Sequence, residues 1–256
     1  MSLRVSLDFN DGYFNINREE RNLAAIFYHT LLLGDNLRRF VSHIGCGQEI
    51  VPKEMGIYFE YAFIRDLWNS ITKGNDFKRK LILDLLQPAN RQELEQKSVL
   101  DFNRYFGAVR TMSSEHIASP SNWSIKYYDD NITDNTEFLK ICKFKWCFNA
   151  KPDIVINTSH NTAICIEAKY ESEEGKYPSN EFERDVFKKR GLDLVGQLSI
   201  QKKIMEDILG IKTEYIFLVQ KKSQTETHKT WTWKEVFERL DTTNCPYFIQ
   251  EWLKRL

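Results

Sequence analysis

Lys151-Pro152-Asp153-Ile154-Val155-Ile156 is followed by the polar run Asn157-Thr158-Ser159-His160-Asn161-Thr162 and then by Ala163-Ile164-Cys165-Ile166-Glu167-Ala168-Lys169. Two short runs rich in β-branched residues, separated by turn formers, read as strands over 153–156 and 163–168 joined in a hairpin. Side chains alternate along a strand, so Glu167 and Lys169 project together while Ala168 points away. With the turn centred near Ser159 and His160, Asp153 lies across from Ile166 and Glu167, within the ~4.5–8 Å of direct and diagonal neighbours. Val155, Ile156, Ile164 and Ile166 mark both strands as buried, and burying a carboxylate and an ammonium group that have no task is costly.

Two carboxylates held a few ångströms apart repel each other unless a cation neutralises them, and hard oxygen ligands suit Mg²⁺. A cation so held keeps water positions, and one such water can be made more acidic and aimed at a phosphorus. Lys169 would orient or deprotonate that water, or offset charge on a pentavalent transition state. The chemistry these groups point to is phosphodiester hydrolysis.

Outward from the hairpin, Ile141 to Phe148 alternates apolar residues with Cys and Lys and is expected as a half-buried strand. A helix is expected over 182–209 with a break at Gly191, and a buried strand over 214–220. Thr232 and Glu235 have capping-box spacing and open a helix over 233–240. The first half reads as helical. Asn17 and Glu20 form a second box ahead of Leu23, Ile26, Phe27, Thr30 and Leu31, which recur at helical intervals up to Gly34. An apolar face follows through Ile57, Tyr58, Tyr61, Ile64, Leu67 and Trp68, then segments over 77–86 and 92–106. The simplest organisation is one α/β domain over 1–256, mostly helical over 1–123 and carrying the catalytic core over 124–256.

The 256 residues are 42% hydrophobic and 28% charged, which excludes disordered, collagenous and coiled-coil classes. Lys and Arg number 36, balancing 36 Asp and Glu, so an anionic partner must be met by a local patch. Five cysteines with no CxxC pair, and five scattered histidines, read as reduced thiols and side chains outside any zinc or nucleophile motif. Met1 to Asn15 is polar and acidic, unlike a secretory leader, and the most apolar run, Leu23 to Leu33, falls far short of the ~20 residues that span a bilayer. The expectation is a cytoplasmic protein with no membrane partner.

Pro152-Asp153, followed after a short hairpin by Glu167-Ala168-Lys169, resembles the PD-(D/E)xK nuclease superfamily. The likeness covers roughly 141–222 and, loosely, the N-terminal helix. It implies a restriction-endonuclease-like core, a central mixed β-sheet flanked by helices. It also implies a Mg²⁺ site, with Mn²⁺ as a substitute, made by Asp153, Glu167 and the backbone carbonyl of Ala168, and a catalytic Lys169. In that family a helix after the motif lysine often presents a glutamine, and Gly196-Gln197-Leu198, with Gln201 one turn on, looks like that element. An acidic residue on an early helix commonly completes the site; Glu20 is the first candidate, although its capping box explains it equally well, and Glu60 is the second.

The implied activity is that of a Mg²⁺-dependent DNA endonuclease of restriction, repair or defence type, with DNA favoured over RNA. A homodimer or a partner subunit is expected, since double-strand cleavage needs two sites. The alternative is a catalytically silent nuclease-fold module that binds nucleic acid or a protein, against which the intact Asp153, Glu167 and Lys169 argue. No Gly-rich phosphate loop suggests a small phosphorylated substrate, and no DNA-reading module is visible. Lys188 to Arg190 is a candidate phosphate-gripping patch, and Trp231 and Trp233 are candidates for base stacking, with core packing their commoner role.

Overall fold

In the computed structural model of the chain the described residues are 19–44, 50–108, 114–128, 131–170, 174–222 and 229–254. Asn17 and Cys46 lie outside them. The elements run α1 (Glu19–Leu31), α2 (Asn36–Ile44), β1 (Gly56–Phe59), α3 (Phe63–Ser70), α4 (Asn75–Leu86), α5 (Arg91–Gln96), α6 (Val99–Tyr105), α7 (Ile125–Tyr128) and α8 (Asn135–Cys147). They continue with β2 (Ile154–Ser159), β3 (Thr162–Ala168), β4 (Lys176–Tyr177), α9 (Glu181–Lys189), β5 (Val195–Gly196), α10 (Gln197–Lys202), β6 (Lys212–Val219), β7 (Thr230–Thr232), α11 (Trp233–Phe237) and α12 (Tyr247–Leu253). The chain is α/β, with a mixed five-stranded sheet of order β1-β2-β3-β6-β7 flanked by helices. No helix among the described residues is long and apolar enough to cross a membrane.

The contacts divide the chain into two compact units that interleave in sequence: 1–61, 152–173 and 212–256 form the first, and 62–151 with 174–211 form the second. The sheet belongs wholly to the first and draws a strand, β1, from the part of the chain read as helical. β1, β2 and β3 pair antiparallel, and β6 runs parallel to both β3 and β7. Ile154 pairs with Ile166 and Ile156 with Ile164. That register turns Ile154, Ile156, Ile164, Ile166 and Ala168 to one face, where Ile216 and Leu218 of β6 join them. Leu23, Ala24, Phe27 and Leu31 of α1, Phe40 and Val41 of α2, and Trp233 and Phe237 of α11 cover that face. Phe27 sits at its centre, edge-on to Phe40, Trp233 and Phe237 with ring centroids 5.0–6.0 Å apart.

The second unit is helical apart from the short β4–β5 pair. Its core holds Ile82, Leu83, Phe102, Phe106, Phe138 and Phe144, with Phe106 stacked on Trp123 at 3.9 Å between centroids.

Three expectations need correction. The stretch 141–148 is helical, the end of α8 rather than a strand. Within 141–148 every residue except Lys143 is buried, so that stretch of the helix shows no polar side to reveal its period. Its start was legible, because Asp134 accepts the Glu137 N–H at 2.7 Å and Asp-x-x-Glu is a capping signature. The expected helix over 92–106 is two helices, broken where Ser98 accepts the Asp101 N–H at 3.1 Å and starts α6. Ile57 and Tyr58 belong to β1, so the apolar face read through Trp68 spans a strand and a helix. The break at Gly191 is present, with φ at +65°, the left-handed conformation glycine adopts without strain.

Fully buried Asn36 is the polar tie of the first unit. Its Nδ2 donates to the carbonyls of Thr30 (3.0 Å) and Asp241 (2.8 Å), and its Oδ1 accepts the Asp241 N–H at 2.7 Å. Asn36→Ala removes three hydrogen bonds and strands their buried partners; we expect urea denaturation to show a loss of roughly 2–4 kcal/mol.

Candidate active site

The site grows from the hairpin at the ends of β2 and β3. The last paired residues at this end are Ile154 and Ile166, which places Asp153 opposite Glu167. Here the Asp153 side chain takes over from the backbone ladder: its Oδ2 accepts the N–H of Ala168 at 2.8 Å. The backbone of Asp153 is held from its other side by β1, whose continuation donates from Glu60 N–H to the Asp153 carbonyl (2.8 Å) and from Tyr61 N–H to the Pro152 carbonyl (2.9 Å). Glu60 adopts φ of +47°, a left-handed conformation uncommon for a residue with a side chain.

Strand alternation sends Val155, Cys165 and Glu167 to the face opposite the apolar cluster. Glu167 is 4% exposed, and its Oε1 lies 2.9 Å from Lys169 Nζ, a buried ion pair. Lys169 is fixed through its backbone at both ends. Its N–H donates to the Leu218 carbonyl at 2.7 Å, extending the β3–β6 ladder, and its carbonyl accepts the indole N–H of Trp233 at 2.9 Å. Trp233 is fully buried, the first residue of α11, and its position follows from the cap at Thr232, where both bonds of the expected capping box are made.

Both carboxylates are felt at Cys165. Burial first, then the charges of Glu167 and Asp153, push its thiol well above the ordinary cysteine range. Nearby, burial and then Tyr58 and Cys165 push the Tyr61 phenol up to about 12. The result is a polar pair inside a low-dielectric strand environment. Two carboxylates and the Ala168 carbonyl are hard oxygen donors of the kind Mg²⁺ accepts, and Mg²⁺ commonly takes only one or two carboxylates, leaving its other positions to water and phosphate. The donor set therefore fits that cation. Among the described residues no three His, Cys, Asp or Glu side chains converge on one point, so no third acidic ligand joins Asp153 and Glu167 in them.

Of the other residues anticipated, Glu20 lies in the first turn of α1, with its side chain outside the described set. Glu60 contacts Asp153 through its backbone, while its carboxylate pairs with Arg21 at 3.1 Å. Gln197 opens α10 in the second unit, its N–H donating to the Gly175 carbonyl at 2.8 Å. Its side chain lies so close over Gly175 that a Cβ there would come within 2.7 Å of the Gln197 Oε1, and Gln201 is buried one turn on. Arg190 does not belong to an open phosphate grip. It donates to Asn135 Oδ1 and to the Ile132 carbonyl, with its guanidinium 4.0 Å from the centre of the Phe138 ring.

Trp233 is the residue sequence reasoning undervalued. The signal was the capping box itself, which fixes 233 as the first helical position directly after a strand. Compared with protein-family models, with curated proteins and with solved structures, the chain matches none.

Glu167 and Lys169 are buried as a pair, so removing one takes from the other its counter-ion at 2.9 Å. Lys169→Met should cost about 3 kcal/mol in urea denaturation, and Glu167→Gln combined with Lys169→Met should recover most of that loss.

Proposed function

We propose that the chain is a Mg²⁺-dependent nuclease that hydrolyses phosphodiester bonds, most simply a DNA endonuclease built on a restriction-endonuclease-like core. The single observation that carries this reading is the convergence of Asp153, Glu167 and Lys169 at one strand end. Asp153 is clasped to the N–H of Ala168, and Glu167 and Lys169 form a buried ion pair two residues apart. A buried ion pair is weak evidence for stability alone, since apolar residues of similar volume would serve a sheet at least as well. The antiparallel β1-β2-β3 followed by parallel β6, with α1 on the apolar face, is compatible with the core that the resemblance implies.

In this reading Asp153, Glu167 and the Ala168 carbonyl hold the cation. Its contribution when bound is Lewis-acid stabilisation of charge on the phosphoryl group and a more acidic water. Asp153 is fixed by its clasp to Ala168, so one carboxylate oxygen is committed to the fold and the other is oriented by it. Glu167 faces the ammonium group of Lys169 across 2.9 Å. Lys169, tethered through its own N–H and carbonyl, is held where its Nζ can donate to a non-bridging phosphate oxygen or to the attacking water, offsetting charge as it develops. The nearly dry surroundings strengthen each of these interactions relative to water.

The test is Asp153→Asn, which keeps an oxygen to accept the Ala168 N–H while losing the charge. With supercoiled, linear and single-stranded DNA in Mg²⁺, Mn²⁺ or EDTA, wild-type cleavage should require metal and fall by about 10²-fold or more in the variant, with the fold retained. Nicked, linear or degraded products would give the mode of attack. Equal activity in the variant would remove this site. An inert wild type that still binds nucleic acid would favour the catalytically silent module.

A further inference from the structure

On the first unit, away from the residues argued above to be catalytic, Arg39, Ser42, His43 and Arg239 line a solvent-open groove of about 420 Å³. Arg39, Ser42 and His43 fall three and four positions apart on α2 and so share one helix face, with Arg239 approaching from just beyond the end of α11. The lining holds two guanidinium groups, an imidazole and a hydroxyl, and no acid.

What distinguishes this groove from an ordinary charged surface is how Arg239 is held. Arg239 is anchored by neutral groups. Its Nη1 donates to the Glu235 carbonyl at 2.8 Å, and its guanidinium lies 4.9 Å from the centre of the Trp231 ring. Neither Arg39 nor Arg239 has an ion pair among the described residues. Asp241 lies outside the lining but feels Arg39: hydrogen bonds from the hydroxyl (2.5 Å) and N–H (3.1 Å) of Thr243 to its Oδ1, and then the charge of Arg39, hold its carboxyl below the usual range. Trp231 organises the other wall as well, meeting the His43 ring edge-on at 5.8 Å and carrying Lys222 above it at 5.6 Å. A guanidinium without a direct ion pair keeps its donors for an incoming anion, and the anchoring of Arg239 lowers its ordering cost at binding.

We propose that this groove binds backbone phosphate of a nucleic acid, with Arg39 and Arg239 as the two phosphate contacts and Ser42 and His43 as flanking donors. An open, shallow groove fits a chain passing across it better than an enclosed small molecule. The ligand class rests on the nuclease reading, whereas the contact itself is tested without cleavage.

The experiment is equilibrium binding of a fluorescent oligonucleotide, single-stranded and duplex, in EDTA across a salt series. It compares the wild type, Arg39→Ala with Arg239→Ala, and a charge-matched control, Lys53→Ala with Lys80→Ala, whose residues are exposed elsewhere. All four positions are solvent-exposed, so thermal unfolding should be unchanged. Each lost phosphate contact lowers the salt slope by about 0.9 for duplex and about 0.7 for single strands, so the groove variant should lose about 1.8 units of slope on duplex, about 1.4 on single strands, and at least about tenfold in affinity. The control should keep the wild-type slope. An unchanged slope in the groove variant, an equal fall in the control, or no binding by the wild type would each overturn the proposal.

Inorganic phosphate at matched ionic strength separates the sources. If it displaces oligonucleotide from the wild type and raises the Tm of the wild type but not of the groove variant, the site is one for free phosphate and the nucleic-acid assignment fails. Loss of slope in the groove variant, together with no metal-dependent cleavage by the wild type, would leave the groove standing and remove the nuclease reading.

Discussion

The clasp between the Asp153 carboxylate and the Ala168 N–H sets the terms for the rest of the first unit. It joins the residue before β2 to the last residue of β3, and so reinforces the register at the end of the hairpin where the ladder stops. With the side-chain period fixed at two, that register decides both faces at once. Ile154, Ile156, Ile164 and Ile166 go to α1, α2 and α11, and Cys165 and Glu167 go to the other side. A slip by one residue would drive Glu167 into the cluster around Phe27 and turn isoleucines out of it, so the apolar core and the polar pair enforce the same pairing.

Around that register the protein holds Lys169 by its backbone as well as by its ion pair. Its N–H is taken by β6 and its carbonyl by the indole of Trp233, which is itself locked in the apolar cluster. The core that stabilises the sheet thus also fixes the lysine. The Glu167–Lys169 pair sets opposite charges 2.9 Å apart in a nearly dry place, where each offsets part of the cost of burying the other. In the groove at Arg39 and Arg239 the charge is held differently: Arg239 is anchored by a carbonyl and an aromatic ring, and neither arginine has an ion pair among the described residues.

The hairpin, its turn and the side-by-side disposition of Glu167 and Lys169 were legible because alternation needs only neighbours in sequence. The capping box at Thr232, the break at Gly191 and the helix ending before Gly34 were legible for the same reason, each being a local backbone requirement met by a local side chain. Residues 141–148 read as a strand because only Lys143 among them escapes burial, and periodicity is silent over a stretch that shows no polar face. The strand β1 was hidden inside an apolar run, since four residues on a sheet edge carry too little pattern to separate from a helix.

Strand alternation and turn chemistry act over a few residues, so the local elements around the motif and the groups at its strand ends, Asp153, Glu167, Ala168 and Lys169, are readable from neighbours along the chain. Only the tertiary structure decided what holds them. The Asp153 clasp, the β1 backbone at Glu60 and Tyr61, the Leu218 ladder bond and the Trp233 indole come from segments up to about 100 residues away. The pairing of Arg39 with Arg239 in one groove is of the same kind. Such contacts depend on which elements pack together, and packing is settled by the burial of whole faces rather than by any run of neighbouring residues.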